Sequence, residues 1–249
     1  TFLGQTGNWD GDDIIDIIFQ QDVTAEFLAG KIYRWFVYDL PDDEMITAMA
    51  DILRSSDYEI QPMLEFLFTS EYFYDDWFRG GKYKDPVIFS LGMLRQFNLT
   101  DIALPDETPA YPFLQFMNYL LSNELFYPPD VSGWAGYRTW INTYTLPWRK
   151  LYTNITADGN YYDFQLGYQV NFLPWVLEFP QPNDPVQLID DICLFLLSIQ
   201  PTPETKDDLL LQLLDGSEIY DWSVYDPEAI TRLRDVVKRV MRMAEYQLR

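Results

Sequence analysis

Apolar residues return every three or four positions along most of this chain, which is the spacing of an α-helix. The pattern is clearest between Asp226 and Ala244, where one face is apolar and many of the remaining positions are basic. That apolar face consists of Ile230, Leu233, Val236, Val237, Val240, Met241 and Ala244. The strict alternation that indicates a strand is weak everywhere, and only residues 162–172 are a candidate for extended structure.

Prolines mark several predicted helix starts. A proline at the first helical position loses nothing by lacking an N–H, and an Asp or Thr before it can accept bonds from the first turn. Five such pairs occur: Asp85-Pro86, Thr108-Pro109, Asp184-Pro185, Thr202-Pro203 and Asp226-Pro227. Periodicity also predicts helices over 12–20, 42–55, 59–73, 85–97, 108–122 and 137–152, and one capped by Thr24 that ends at Phe36. The sequence therefore predicts an all-α protein, an irregular multi-helix bundle of about nine or ten helices with long ordered loops.

One long stretch without helical period divides the chain. Residues 153–184 contain Pro174, Pro180 and Pro182 together with seven Tyr, Phe and Trp residues. That many aromatics are not typical of a flexible linker. We expect residues 1–152 to form a helical body, and residues 153–249 to form an aromatic connector and C-terminal helices packed on it, as one domain.

The charge balance limits the kinds of partner. The chain carries 39 acidic and 17 basic residues, a formal net charge of −22. Binding to nucleic acid relies on a Lys and Arg surface, so no nucleic-acid partner is expected. The carboxylates fit two interpretations, a surface that keeps the protein dispersed or one that binds cations. No apolar stretch approaches the roughly 20 residues of a membrane span, so no transmembrane segment is predicted.

The chain offers few groups for catalysis. It contains no histidine, which removes the commonest general base and zinc ligand. Its one cysteine, Cys193, lies among apolar residues, and this favours a buried, inert thiol over a nucleophile. Acidic residues are frequent, but no spacing singles out two carboxylates for glycoside hydrolysis. No catalytic residue is assigned, and a non-enzymatic role is favoured.

An acidic cluster near the start is the candidate metal site. Asn8, Asp10, Asp12 and Asp13 lie around two glycines, and oxygen ligands on a bent loop are what calcium requires. The spacing is not that of an EF-hand, because Phe19 stands where the last ligand would be. The alternative is a turn that starts the first helix, with Asp12 as its N-cap. Calcium is the only cofactor that the sequence suggests.

The most unusual stretch is residues 127–140, Tyr-Pro-Pro-Asp-Val-Ser-Gly-Trp-Ala-Gly-Tyr-Arg-Thr-Trp, which we call the aromatic segment. Trp134, Arg138 and Trp140, with Arg149 beyond them, could form an aromatic platform for a saccharide or for side chains of a protein partner, with the arginines binding carboxylates. The alternative is that both tryptophans are core residues that fix a turn, and that Arg138 pairs with an acid. These four residues are the candidate ligand-binding site.

Four segments of the chain have a characteristic sequence. They are the opening Thr-Phe-Leu-Gly-Gln-Thr-Gly-Asn-Trp-Asp, the Thr-Ala-Glu-Phe-Leu-Ala-Gly-Lys at 24–31, the Pro-Pro-Asp-Val-Ser-Gly-Trp-Ala-Gly at 128–136 and the Ala-Glu-Tyr-Gln-Leu at 244–248. Together they resemble segments of a bacterial family, the domain-of-unknown-function 1800 family. Lys84-Asp85-Pro86 differs from the family's Lys-Ser-Pro, and Gly136-Tyr137 replaces a glycine pair. The resemblance covers nearly the whole chain.

The resemblance carries implications about location and partners. Members are typically exported, which implies an extracytoplasmic location, at the periplasm, the cell surface or outside the cell, and a protein partner. Full members are longer, so we expect this chain, which opens on Thr1, to be a processed or excised C-terminal half that packs against an N-terminal half. Two hypotheses follow. One is a non-enzymatic envelope module that binds a protein or saccharide partner. The other is half of an enzyme or metal-binding protein whose active groups lie upstream.

Overall fold

Helices make up most of the computed structural model, which describes residues 1–99, 111–161, 164–165 and 170–249. Within these residues there are eleven α-helices, joined by turns and short 3-10 segments. The strands described are β1 (Asn160–Tyr161) and β2 (Phe164–Gln165), which pair antiparallel with Asn160 opposite Gln165. The predicted all-α class is confirmed. The chain divides into two compact units, Thr1–Lys82 and Tyr83–Arg249.

Four helices build the first unit: α1 (Gly11–Phe19), α2 (Asp22–Phe36), α3 (Asp43–Ser55) and α4 (Ile60–Thr69). Two 3-10 turns, Glu71–Tyr74 and Asp76–Phe78, follow. α3 packs against both α2 and α4. Nine buried residues of this unit form one cluster: Ala25, Ala29, Tyr33, Val37, Met49, Ala50, Leu53, Met63 and Leu67. On α2 they recur every four residues, which places them on one side of the helix.

A chain of polar groups ties the end of this unit to its middle. The buried Tyr33 hydroxyl lies 2.8 Å from the Tyr72 hydroxyl, and the Tyr72 hydroxyl donates to the Asp42 carboxylate at 2.8 Å. The other Asp42 oxygen accepts bonds from the backbone N–H groups of Glu44 and Met45, and so caps α3. The bond from the Met45 N–H and then the bond from Tyr72 hold the pKa of Asp42 below its ordinary value.

Seven helices build the second unit: α5 (Pro86–Gln96), α6 (Tyr111–Leu120), α7 (Thr145–Asp158), α8 (Phe172–Val176), α9 (Pro185–Leu196), α10 (Pro203–Leu214) and α11 (Ala229–Arg242). α11 packs against α7, α8, α9 and α10. Its buried residues are Ala229, Leu233, Val236, Val237, Val240 and Met241, so most of the predicted apolar face enters the core. Of the other predicted members, Ile230 is half-buried and Ala244 is exposed beyond the end of the helix. Cys193 lies fully buried on α9, and burial raises the pKa of its thiol to about 11.

Three of the proline-marked starts are confirmed in detail. The side chains of Asp85, Asp184 and Thr202 accept backbone N–H bonds from the first turns of α5, α9 and α10. Thr108 lies outside the described residues. Asp226 is not a cap: its carbonyl accepts from Ala229 N–H in a turn, and α11 begins at Ala229 without a side-chain cap.

Other predicted bounds need correction. Thr24 does not start α2, because its hydroxyl donates to the carbonyl of Ile18 at 2.6 Å and the helix begins at Asp22. The helix predicted over 59–73 ends at Thr69, where the Ser70 hydroxyl caps a 3-10 turn. The helix predicted over 137–152 is a 3-10 turn, Tyr137–Trp140, followed by the longer α7.

The predicted aromatic connector is partly helical. Its first residues belong to α7, which ends at Asp158 and is followed by Gly159 in the left-handed conformation that glycine adopts without strain. Phe172 and Val176 of α8 are buried, and Trp175 and Phe179 pack against the same core. The connector therefore contributes to the core of the second unit. The predicted division at residues 152 and 153 falls inside α7.

We expect Asp42→Ala to lower the free energy of unfolding by about 1–2 kcal/mol at pH 7, because α3 loses its cap and Tyr72 its acceptor. The folded pKa of Asp42 is depressed, so its contribution is present above the unfolded pKa and is lost as pH falls through the folded pKa. We expect urea unfolding between pH 7 and 3 to show that the difference in free energy of unfolding between wild type and Asp42→Ala becomes smaller below about pH 4. The control is Asp43→Ala, at the exposed residue next to Asp42. If both variants lost the same free energy of unfolding, the role of Asp42 as cap and as acceptor for Tyr72 would be contradicted.

Candidate functional site

An exposed apolar tip lies on both sides of Pro128-Pro129, at the start of the aromatic segment. Leu125, Phe126, Tyr127 and Val131, which we call the apolar tip, all have exposed side chains; Phe126 is 97% exposed and Tyr127 75%. The tip follows α6, whose Leu114 and Met117 are buried in the core. Soluble proteins usually expose large apolar side chains singly, so a group of four between positions 125 and 131 is informative.

The backbone of the tip is held by local hydrogen bonds. Phe126 has φ +65°, and the Tyr127 N–H donates to the Glu124 carbonyl at 3.0 Å, which closes a turn. The Asp130 carboxylate accepts from the N–H and the hydroxyl of Ser132. The Ser132 hydroxyl and then its N–H lower the pKa of Asp130. With two consecutive prolines between these turns, the tip has little backbone freedom to lose on binding.

The second half of the segment carries three of the predicted ligand-binding residues. Gly136 has φ +70° and ψ −164°, a conformation that is available to glycine and strained for other residues. Trp134 and Trp140 on either side of it are half-buried, and Arg138 is exposed. The Arg138 guanidinium lies 5.2 Å from the Tyr137 ring centre, and that ring packs edge-on against Tyr83 at 5.4 Å. The segment is thus attached to the start of the second unit.

A reciprocal cap separates the segment from α7. The Asn142 side chain accepts from the N–H groups of Tyr144 and Thr145 at 2.9 Å, and the Thr145 hydroxyl accepts from the Asn142 N–H at 3.1 Å. The same hydroxyl donates to the Trp140 carbonyl at 2.9 Å. Asn142 and Thr145 therefore satisfy the donors at the start of α7, and each holds the other in place.

Arg149, the fourth predicted residue, is one turn further along α7 and only 1% exposed. Its guanidinium donates to the Lys84 carbonyl at 2.7 Å and to the Gln247 side-chain oxygen at 3.3 Å. It also lies 4.7 Å from the Phe89 ring centre. Burial lowers the pKa of Arg149 to about 10, and the charge of Asp85 opposes that shift.

Lys84 completes what we call the Lys84–Arg149 cluster, which consists of Lys84, Phe89, Arg149, Tyr246 and Gln247. The Lys84 N–H donates to the Gln247 carbonyl at 2.8 Å, and its ammonium lies 3.7 Å from the Tyr246 ring centre. Next to it, Tyr83 and Leu248 form a β-bridge. Burial and then the positive charge of Arg149 lower the pKa of Lys84 to about 8.

The sequence profile of one protein family matches residues 1–248, which is nearly the whole chain. It is the family of proteins of unknown function called DUF1800. This chain belongs to the DUF1800 family. Comparison of this DUF1800 protein with curated proteins and with solved structures gave no match.

The DUF1800 chain places the four predicted ligand-binding residues in two environments. Trp134, Arg138 and Trp140 follow one another on the aromatic segment, whereas Arg149 is buried beneath the surface with the start of α5 and the C-terminal turn. Sequence reasoning missed Lys84 as a member of the same cluster. The sequence signal that could have identified Lys84 is its position directly before Asp85-Pro86, because this helix start places the backbone of Lys84 beside α5.

The predicted calcium ligands form the start of α1. The Asp10 carboxylate accepts from the N–H groups of Asp12 and Asp13, and the Asp13 carboxylate accepts from the Asp10 N–H at 3.0 Å. Asp10, not Asp12, is therefore the N-cap. In the part of the chain that the structure describes, no three Asp, Glu, Cys or His side chains are grouped as a metal site would require. Calcium binding by Asn8, Asp10, Asp12 and Asp13 stays a prediction of the sequence.

Among the residues that the structure describes, no helix is both long and apolar enough to cross a bilayer.

We expect Arg149→Met to lower the free energy of unfolding by about 1–3 kcal/mol, because the Lys84 carbonyl and the Gln247 side chain lose a buried donor. Removal of a buried cation offsets part of that loss. Chemical denaturation of the full chain measures it. Arg138→Met makes the same substitution at an exposed position and should change stability by less than about 0.5 kcal/mol. Similar losses in the two variants would contradict the role of Arg149.

Calcium binding has a direct test. Because the Asp10 and Asp13 carboxylates already accept the N–H groups at the start of α1, we expect the chain to melt at the same temperature in millimolar calcium and in chelator. A melting temperature that rises with calcium concentration and then saturates would establish the site instead, if Asp10→Ala abolishes the rise. The reason is that a ligand that binds only the folded state raises its stability.

Proposed function

We propose that this DUF1800 protein is a non-enzymatic association module whose apolar tip binds a protein partner. The observation that carries the proposal is the exposure of Phe126, Tyr127 and Val131 on a backbone that local bonds and prolines fix. Aromatic residues dominate the energetics of protein interfaces, and a preformed loop loses little entropy on binding. Burial of the tip on association would remove its apolar surface from water.

The chemistry of the tip favours a protein over a saccharide. Sugar rings stack on aromatic faces and also require hydrogen-bonding groups around them, because a saccharide carries hydroxyls that binding desolvates. Leu125, Phe126 and Val131 supply apolar surface without such groups. Trp134 and Trp140, the predicted platform for a sugar ring, are half-buried. A saccharide partner is therefore the second candidate, and the experiment below separates the two.

The proposed setting is extracytoplasmic, in the bacterial envelope or outside the cell. Family membership supports this setting, because the resemblance to this family implied that its members are exported. The excess of 39 acidic over 17 basic residues is compatible with such a setting, because like charge keeps protein molecules apart where no specific contact joins them.

Site-specific photo-crosslinking in cells of the source organism tests the proposal. A benzophenone amino acid at position 126 should give one discrete protein adduct, because the Phe126 side chain would lie in the interface. The matched control carries the same amino acid at Tyr220, an 83% exposed aromatic of the same unit, and should not give that adduct.

The captured protein is then purified and titrated calorimetrically with wild type, Val131→Asp and Tyr220→Asp. We expect Val131→Asp to weaken binding at least 10-fold, about 1.4 kcal/mol, and Tyr220→Asp to leave it unchanged. An adduct that contains glycan and no peptide would replace the protein partner by a saccharide. Equal adducts at positions 126 and 220, or equal affinity of all three proteins, would overturn the proposal.

A further inference from the structure

Lys84 is a half-buried cation whose ammonium has no ion-pair partner among the described residues. Among the described residues no carboxylate lies within ion-pair distance of its ammonium, and no hydrogen-bond acceptor is in reach of it. The charge that acts on it is that of another cation, Arg149. Two like charges in a partly desolvated place oppose each other and oppose folding.

Other cations of this chain are treated differently. Lys82, Arg232 and Lys238 also have mostly buried side chains, and each has a carboxylate within 4.0 Å. The chain carries 39 acidic residues, so the lack of an ion-pair partner for Lys84 does not come from a shortage of carboxylates. Within the described residues, Asp85 is the acid whose charge acts on Arg149, and one of its oxygens accepts the Ile88 N–H as the cap of α5. The cluster is thus a positive place in a strongly negative protein.

The position of this charge is defined by the fold. Both backbone polar groups of Lys84 are bonded, its N–H to the Gln247 carbonyl at 2.8 Å and its carbonyl to the Arg149 guanidinium at 2.7 Å. The Tyr246 ring supports the ammonium at 3.7 Å, and Arg149 is 1% exposed with its Nε–H lacking an acceptor. An ammonium held in a fixed position beside a second positive charge is the kind of group with which proteins hold anions.

We propose that the Lys84–Arg149 cluster is a binding site for an oxyanion, a carboxylate or phosphate group that contacts the Lys84 ammonium under the added field of Arg149. The ammonium offers three donors and no fixed fork, which suits a compact anion of either kind. The site is independent of the apolar tip, so it stands whether or not the tip binds a protein.

Isothermal titration calorimetry of the full chain at pH 7 tests the site with two probes, inorganic phosphate and acetate. Ionic strength is held constant with chloride, because salts also act on stability generally. We expect saturable binding of at least one probe in wild type, and the probe that binds distinguishes a phosphate ligand from a carboxylate ligand. Thermal melts in the same buffers should show a saturable rise in melting temperature.

Lys84→Gln should weaken that binding at least 10-fold, whereas Lys150→Gln, at the exposed residue beside Arg149, should leave it unchanged. Lys84→Arg keeps the charge and should retain binding, which separates loss of the site from loss of the fold. Absence of binding in wild type, or equal binding in wild type and Lys84→Gln, would overturn the inference. Phe126→Ser, which removes part of the apolar tip, should not alter anion binding.

Discussion

The second unit depends on one buried cation. The Arg149 guanidinium holds the carbonyl that precedes α5 and the side chain of Gln247 near the C-terminal end, and it does so from the first half of α7. Three parts of the chain meet at a single planar group with several donors. Hydrophobic contacts fill this core, but they have no preferred direction. The fixed geometry of the guanidinium supplies the direction that sets these three segments against each other.

This arrangement also determines what the aromatic segment can do. The segment leaves the core after α6 and returns to it through Asn142, Thr145 and then Arg149, so both of its ends are attached to buried structure. Its own turns are closed by backbone and Asx-type bonds. Apolar side chains on such a support cannot fold back into the core. They remain in water at a cost in free energy, and the net charge of −22 limits unspecific contact between molecules.

The sequence was informative where a structural feature has a local cause. A cap such as Asp184 acts on N–H groups two and three residues away, and the stripe from Leu233 to Met241 is set by the period of the helix. The all-α class followed from such signals, whereas family membership was indicated by the resemblance of several sequence motifs. Helix bounds were predicted wrongly where a neighbouring element binds the expected cap. The Thr24 hydroxyl, for example, donates to the Ile18 carbonyl at the end of α1.

The candidate site was only partly predictable. Trp134, Arg138 and Trp140 drew attention by composition, but the acceptors of Arg149 lie 65 and 98 residues away along the chain. No periodic pattern reports such a contact, and arginine is ordinarily a surface residue. The exposure of Phe126 and Val131 was missed for the converse reason, since apolar residues are expected inside.

The reciprocal bonds between Asn142 and Thr145 give α7 a start of its own. A helix whose first donors are satisfied by Asn142, just before its start, does not need residues further upstream than Trp140 to begin where it does. The loop before it is therefore free to change in length and composition while the core keeps its register. For protein engineering, the stretch between Leu125 and Val131 is a place where a foreign peptide can be displayed on this scaffold. In evolution, it is where one fold can acquire different partners.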